Sequence, residues 1–349
     1  MDFGFCYYPL LFFLAFLGVL FATPILSKFA KHRNIVDKPG LHKTHGIAKP
    51  LLGGLAIFTA FSATLFLFLP MDDKLLSLIL STIVLVITGL LDDIYDLKPL
   101  YKLLGQTISA YIVVFWNAYL FRFMVDYFER FYMPGIVVLL LIIGWVVLMV
   151  NAFNLIDGLD GLAAGTAAII FLAMAVLSFI EGGRPNILGV QLIGAGACCG
   201  FLIFNFNPAK IFMGDTGSML LGFILATTHL FTIKYPFSTQ LVLGSMFIFA
   251  YPALDVTYAF YRRICNKCPI FKADKGHIHH VLLSMGYSVK QTVIIIYMTN
   301  IVFSALGVLL LVLEVPSKLF IIIGVAVAIF AFLFFRKLYS ISNHNGISA

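Results

Sequence analysis

Asn151, Asn154, Asp157 and Asp160 recur every three residues in the stretch Asn151-Ala-Phe-Asn154-Leu-Ile-Asp157-Gly158-Leu-Asp160-Gly161. On a helical or 3-10 path this spacing puts four oxygen-bearing side chains along one narrow face. Asn and Asp also cap helices, and for any one of the four that is an equal reading; four in register at an apolar boundary favour a ligand-facing row. Asp92 and Asp93 stand side by side with Asp96 one turn on. Adjacent carboxylates repel unless a cation or a proton lies between them, and hard oxygen ligands of this kind suit Mg²⁺ or Mn²⁺. A solvated turn is the plain alternative for that pair. Asn207-Pro208 and Gly214-Asp215-Thr216-Gly217-Ser218 add a third carboxylate, framed by glycines that permit close backbone approach. A helix starting there could also present amides to a phosphate. His277-Ile278-His279-His280 follows Lys275, with Arg262 and Arg263 upstream. No Cys or Glu stands at zinc-protease spacing, so this cationic segment suits a polyphosphate better than a hydrolytic metal.

The elements that must position these islands are built for lipid. With 61% hydrophobic and only 11% charged residues, the 349-residue chain cannot make a water-soluble surface, whose charged share is nearer a quarter. Apolar runs fall at 7–27, 51–70, 74–91, 103–121, 134–152, 161–180, 186–204, 217–233, 239–260, 292–313 and 317–335. Most approach the roughly 20 residues that a spanning helix needs. The expected fold is therefore all-α: a polytopic membrane protein of about eleven transmembrane helices. The pairs of runs split at Met71-Asp72-Asp73 and at Glu314-Val315-Pro316 are read as separate spans. No repeat or low-complexity linker is visible, so residues 1–349 are expected to form one integral membrane domain, with 261–290 a basic, histidine-bearing loop within it.

Eleven spans put the termini on opposite sides. Loops around 28–50, 92–102, 205–216 and 261–290, with the tail from Arg336, hold 17 of the 23 lysines and arginines. The positive-inside bias makes these loops cytoplasmic, the N-terminus external and the tail internal. All the polar islands then share the cytoplasmic face, so the active site is expected there. The first apolar run follows Asp2 without a Lys or Arg and lacks a small-residue cleavage pattern, so it reads as a retained helix. The net charge of +7 needs no nucleic acid; anionic headgroups or an anionic substrate account for it. Five cysteines suggest no disulfide framework, and the single Cys265-x-x-Cys268 lacks the second pair of a zinc site.

Carboxylates, a divalent cation, a basic segment and a membrane frame together suit phosphoryl transfer from a polyphosphate to a lipid acceptor. A transporter of anionic solutes would show paired interruptions in two repeat halves, which are absent, and a scaffold would not need Asp and Asn in register.

Val36-Asp37-Lys38-Pro39 through His42-Lys43 to Pro50-Leu51-Leu52-Gly53-Gly54, then Asp92-Asp93, Lys102-Leu-Leu-Gly105-Gln106, the Asn151 to Leu162 stretch, Phe212-Met-Gly-Asp215-Thr-Gly-Ser218 and His277-Ile-His-His280 follow in order over nearly the whole chain. In these motifs it resembles the polyprenyl-phosphate N-acetylhexosamine-1-phosphate transferase family, and in its His-Ile-His-His form the bacterial UDP-N-acetylglucosamine:undecaprenyl-phosphate branch. The resemblance implies transfer of a sugar 1-phosphate from a UDP-amino sugar to undecaprenyl or another polyprenyl phosphate, with release of UMP. This would be the first membrane step of a cell-envelope polysaccharide, in the bacterial plasma membrane. It implies Mg²⁺, with Mn²⁺ as substitute, on Asp215 and Asn154. Asp92 and Asp93 match an acidic pair that activates or orients the acceptor, and Asp157 and Asp160 match residues of the nucleotide side or of catalysis. Lys102 matches a diphosphate contact. His277, His279 and His280 with Arg262 or Arg263 match a donor cap; Lys49 and Asn207 join the substrate-binding set. The favoured route is a single in-line displacement, with an aspartyl-phosphate on Asp157 or Asp215 as the two-step alternative. N-acetylglucosamine leads as the sugar, ahead of N-acetylgalactosamine, a deoxy-amino sugar or a muramoyl-pentapeptide donor. The bilayer and a second copy of the chain in a homodimer complete the expected partners.

Overall fold

The computed structural model describes residues 7–37, 48–129, 132–182, 184–233, 238–265, 267 and 276–344. Pro39, His42, Lys43, Cys268 and Lys275, parts of the motifs above, lie outside them. The elements are α1 (Tyr7–His32), β1 (Val36–Asp37), β2 (Lys49–Pro50), α2 (Gly53–Phe68), α3 (Asp73–Tyr95), α4 (Pro99–Trp116), α5 (Ala118–Glu129), α6 (Gly135–Ile156), α7 (Leu162–Ile180), α8 (Pro185–Asn205), α9 (Gly214–Thr232), α10 (Thr239–Ile248), α11 (Ala250–Cys265), α12 (Ile278–Ser284), α13 (Val289–Val312) and α14 (Ser317–His344). Each apolar run becomes a helix or a pair of helices, because in hydrocarbon every backbone N–H and C=O must find its partner within the segment.

Among the described residues seven helices, α1, α3, α6, α7, α8, α13 and α14, are long and apolar enough to cross a membrane. The number rises to nine if α4 with α5, and α10 with α11, each form one bent span. Length and composition thus stop short of the eleven expected. The 16-residue α2 is too short, and α9 carries Asp215, His229 and four threonines. The splits at Met71-Asp72-Asp73 and Glu314-Val315-Pro316 do separate helices: Asp72 caps α3 by accepting from Leu75 N at 2.9 Å, and α13 ends before α14 begins. The run at 239–260, expected as one span, is broken at Phe249 by 69°. The run at 103–121 breaks at Asn117, whose side-chain amide donates to Val113 O and to Ser77 Oγ on α3, each at 2.8 Å.

The polar helix α9 is the centre of the bundle. Every residue from Thr216 to Phe231 is buried, and α2, α3, α6, α7 and α8 pack around it. Two of its mid-helix hydroxyls are satisfied within the helix: Thr227 Oγ1 and Thr228 Oγ1 donate back to Phe223 O and Ile224 O at 2.7 Å. At its first turn the backbone of Gly217 lies where a Cβ on Gly54 would sit, so α2 and α9 touch main chain to main chain. On the outside, Phe21 of α1 is 76% exposed and Phe330 of α14 71%, a surface suited to acyl chains.

Candidate active site

The start of α9 is held by α3. Asp93, in the last turn of α3, accepts from Asp215 N at 2.7 Å, from Thr216 N at 3.2 Å and from Thr216 Oγ1 at 2.6 Å. These amides have no partner within their own helix, and a carboxylate at a helix N-terminus is favoured by the helix dipole as well. The two members of the expected acidic pair therefore differ in work. Asp93 is a cap between helices, while Asp92 accepts from Leu97 N at 2.9 Å and turns its other oxygen, 2.5 Å away, to Lys102 Nζ. Lys102 also reaches Asp215 Oδ2 at 2.9 Å. One ammonium thus stands between two carboxylates that would otherwise repel.

The α6–α7 turn supplies the second wall, and the expected row of four does not stay in register. α6 ends at Ile156 and Asp157 caps it, so the residues beyond leave the helical path. Asn151 faces α4, donating to Gln106 Oε1 at 2.7 Å, and belongs to the packing of α4 on α6. Asn154 donates to Ser218 Oγ at 3.1 Å, beside Asp215. Asp160 accepts from Asn207 Nδ2 at 3.0 Å and from Ala209 N at 2.9 Å, and Lys49 Nζ stands 3.6 Å from it. Lys49 also lies 4.7 Å above the Phe212 ring. Asn205 Oδ1 accepts from Gly161 N at 3.0 Å and Tyr297 Oη donates to Gly161 O at 2.5 Å, so α8 and α13 pin the turn. Burial, and then the carboxylates of Asp215, Asp93 and Asp160, push Asp157 well above the usual carboxylate range.

The histidine segment is not the loop expected. His277 caps α12, and His279 and His280 lie in its first turn. His279 is buried against Gly158, where an added Cβ would sit 2.5 Å from His279 Nε2. That burial lowers its ring to about 3, so it is neutral near pH 7. Neither Arg262 nor Arg263 lines the pocket. Arg262 is buried under the chain leading to α12, donating to Gly276 O at 2.5 Å and stacking 4.9 Å over Tyr339.

Asn154, Asp157, Asp160, Asp215, Asp93 and His280 line one hollow of about 350 Å³, with Asp37 of β1, Asn205 and Phe212. Residues separated by more than 240 positions meet there because the ends of α3 and α6 and the starts of α9 and α12 converge. Lys102 and Asp92 reach it through Asp215. Sequence reasoning missed Asn205 and Asp255; Asp255 had a signal, a carboxylate inside the apolar run at 239–260. A larger hollow of about 640 Å³ between α12, α13 and α14 has an almost wholly apolar lining.

Among the described residues no three Asp, Glu, His or Cys side chains converge as a ready metal cage. The donors that do meet, Asp215, Asp92 and the Asn154 amide, are hard oxygens, and the Lys102 ammonium marks the spot between two of them as one for positive charge. That set fits Mg²⁺, which keeps waters and takes one or two carboxylates plus phosphate oxygens.

A helical membrane bundle with an acidic pocket where four helix ends converge defines a polytopic membrane enzyme. Residues 75–233 match the model of glycosyl transferase family 4. The chain is 36% identical over 312 residues to a probable undecaprenyl-phosphate N-acetylglucosaminyl 1-phosphate transferase of Bacillus subtilis, covering 89% of this chain and 87% of that one. It is 34% identical to a decaprenyl-phosphate N-acetylglucosaminephosphotransferase of Mycobacterium tuberculosis (80% and 76% covered). It is 28% identical to the undecaprenyl-phosphate alpha-N-acetylglucosaminyl 1-phosphate transferase of Escherichia coli (83% and 81%). The chain belongs to this family, the polyprenyl-phosphate N-acetylhexosamine-1-phosphate transferases, and is a multi-pass membrane phosphotransferase.

Proposed function

We propose that the protein transfers N-acetylglucosamine 1-phosphate from UDP-N-acetylglucosamine to undecaprenyl or a similar polyprenyl phosphate, releasing UMP, with Mg²⁺ in the pocket and all eleven apolar elements in the membrane. The observation that carries this reading is the Asp92–Lys102–Asp215 triad at the rim of an acidic hollow. It pairs a carboxylate that can receive an acceptor proton with a carboxylate that can hold a cation. The relatives' names supply the acceptor class and the sugar.

In this reading Asp215 and Asn154 would hold Mg²⁺, which would supply charge to neutralise the donor diphosphate and the departing UMP. Asp92 orients the acceptor phosphate and takes its remaining proton. An acceptor oxygen then attacks the sugar-bearing phosphorus in line, forming one P–O bond as the bond to the uridylyl phosphate breaks. Lys102 follows the charge from carboxylate to diphosphate. Asp157 and Asp160 serve the nucleotide side, with Lys49 and Asn207 holding Asp160, and His280 contacts the donor phosphates. The positive-inside bias of the basic loops supports a pocket on the cytoplasmic face, with the N-terminus outside and the tail inside.

The test is UMP release from UDP-N-acetylglucosamine in detergent, with polyprenyl phosphate and with or without Mg²⁺. Release requiring lipid phosphate and metal supports the reading; none with any UDP-amino sugar refutes it. Trapping a phospho-enzyme with donor alone would replace the single displacement by two steps.

A further inference from the structure

Asp255 lies in the middle of α11 and is 2% exposed, in a stretch otherwise built for lipid. An isolated carboxylate is costly there unless it is fully partnered. Both its oxygens go to one place: Oδ2 to His277 Nδ1 at 2.9 Å, and Oδ1 to Ile278 N at 3.0 Å. Ile278 N is a first-turn amide of α12, which its own helix leaves without an acceptor. The pairing therefore sets both the height of α12 and the rotation of the His277 ring.

From His277 the contacts continue ring by ring into the pocket. His277 stacks on His279 with centroids 5.7 Å apart and planes 7° from parallel, and His279 lies 4.2 Å from His280. His279 fills the space beside Gly158 in the α6–α7 turn. His280, at the end of this ladder, lines the hollow with Asp157, Asp160 and Asp215.

We propose that Asp255 is a positioning residue: it clamps the first turn of α12 and holds the proton of His277 on Nδ1, so that the ladder delivers His280 to the donor. Delivery of His280 to the donor rests on the function proposed above. A carboxylate can only accept, so the Nδ1 proton faces it and Nε2 keeps its lone pair while the ring is neutral. Asp255→Asn keeps the shape and an acceptor for Ile278 N, but its amide N–H₂ turns the His277 proton to Nε2. Carboxylates that orient metal-ligating histidines in the same way change activity or affinity by about 10- to 100-fold.

Steady-state kinetics with UDP-N-acetylglucosamine and polyprenyl phosphate test this on wild type, Asp255→Asn, His277→Ala, His280→Ala and the doubles with His280→Ala. Expected is a donor KM raised about tenfold or more for Asp255→Asn, an unchanged acceptor KM, and doubles no worse than His280→Ala alone. Equal rises in both KM values, or losses that multiply in the doubles, overturn the proposal. If Asp255→Asn does not fold, His277→Ala carries the same test, because it leaves the Ile278 bond in place. A second readout needs no substrate: the rate at which diethyl pyrocarbonate modifies His280, followed by peptide mass spectrometry, should change severalfold in Asp255→Asn. An unchanged rate refutes the positioning role. A wild type that releases no UMP refutes the proposed function and leaves this second readout standing.

Discussion

Asp92 and Asp93 are neighbours in sequence with different surroundings, and their variants should fail differently. Asp92→Asn should collapse kcat while UDP-sugar binding, read by calorimetry, persists; abolished binding would move Asp92 into the donor and metal set. Asp93→Ala removes the acceptor of two α9 amides and should cost about 1–2 kcal/mol of stability, seen as a lower melting temperature in detergent, before any kinetic effect is considered. Asp215→Asn should keep the fold and reduce turnover by several orders of magnitude, because lost charge stabilisation in a site of this kind is worth a few kcal/mol. Activity within about tenfold of wild type would take Asp215 out of the metal shell. Asp157 carries a pH signature. Its folded-state pKa is raised, so between the ordinary carboxylate value and that raised one the folded protein holds a proton that the unfolded chain has lost. Stability of the metal-free protein should therefore fall as pH rises through that window. Asp157→Asn, which cannot ionise, should match wild type near pH 4 and melt higher at pH 8; a lower melting point at pH 8 would contradict the assignment.

Helices meet at this site through backbones that touch. Gly217 and Gly54 have no room for a Cβ between α2 and α9, so Gly217→Ala should push the start of α9, and Asp215 with it, away from α2. A loss of about 1–3 kcal/mol is expected from such overpacking, read as a lower melting temperature together with reduced turnover. Gly144, where an added Cβ meets nothing, is the control: Gly144→Ala should be neutral or slightly stabilising. The breaks at Asn117 and Phe249 were not legible in the sequence, since hydropathy runs unbroken through both. At Asn117 a side-chain hydrogen bond to Ser77 takes the place of helix continuity. The break at Phe249 leads into α11, the helix that carries Asp255 to α12.

At the scale of the whole molecule, topology is the test. With native cysteines replaced, single cysteines near Lys98 and His277 should label only from the cytoplasm, and those near Asp126 and Glu181 only from outside. Labelling of position 277 from outside would invert the proposed orientation. By itself the sequence determined the helical membrane class and the motifs that mark the family, because hydrocarbon admits few backbones and because acids at the ends of apolar runs stand out. It also determined most of the pocket's membership: Asn154, Asp157, Asp160, Asp215 and His280 were all legible as chemistry. What each residue does was decided only by tertiary structure. Spacing by three could not show that α6 stops at Ile156, leaving Asn151 to pack against α4 while Asp157 faces the hollow. Nor could a basic run show that Arg262 is buried under Gly276, or that a carboxylate in α11 holds His277. Those outcomes depend on which side chains from distant segments fill the space around each group, and periodicity along one segment carries no record of its neighbours.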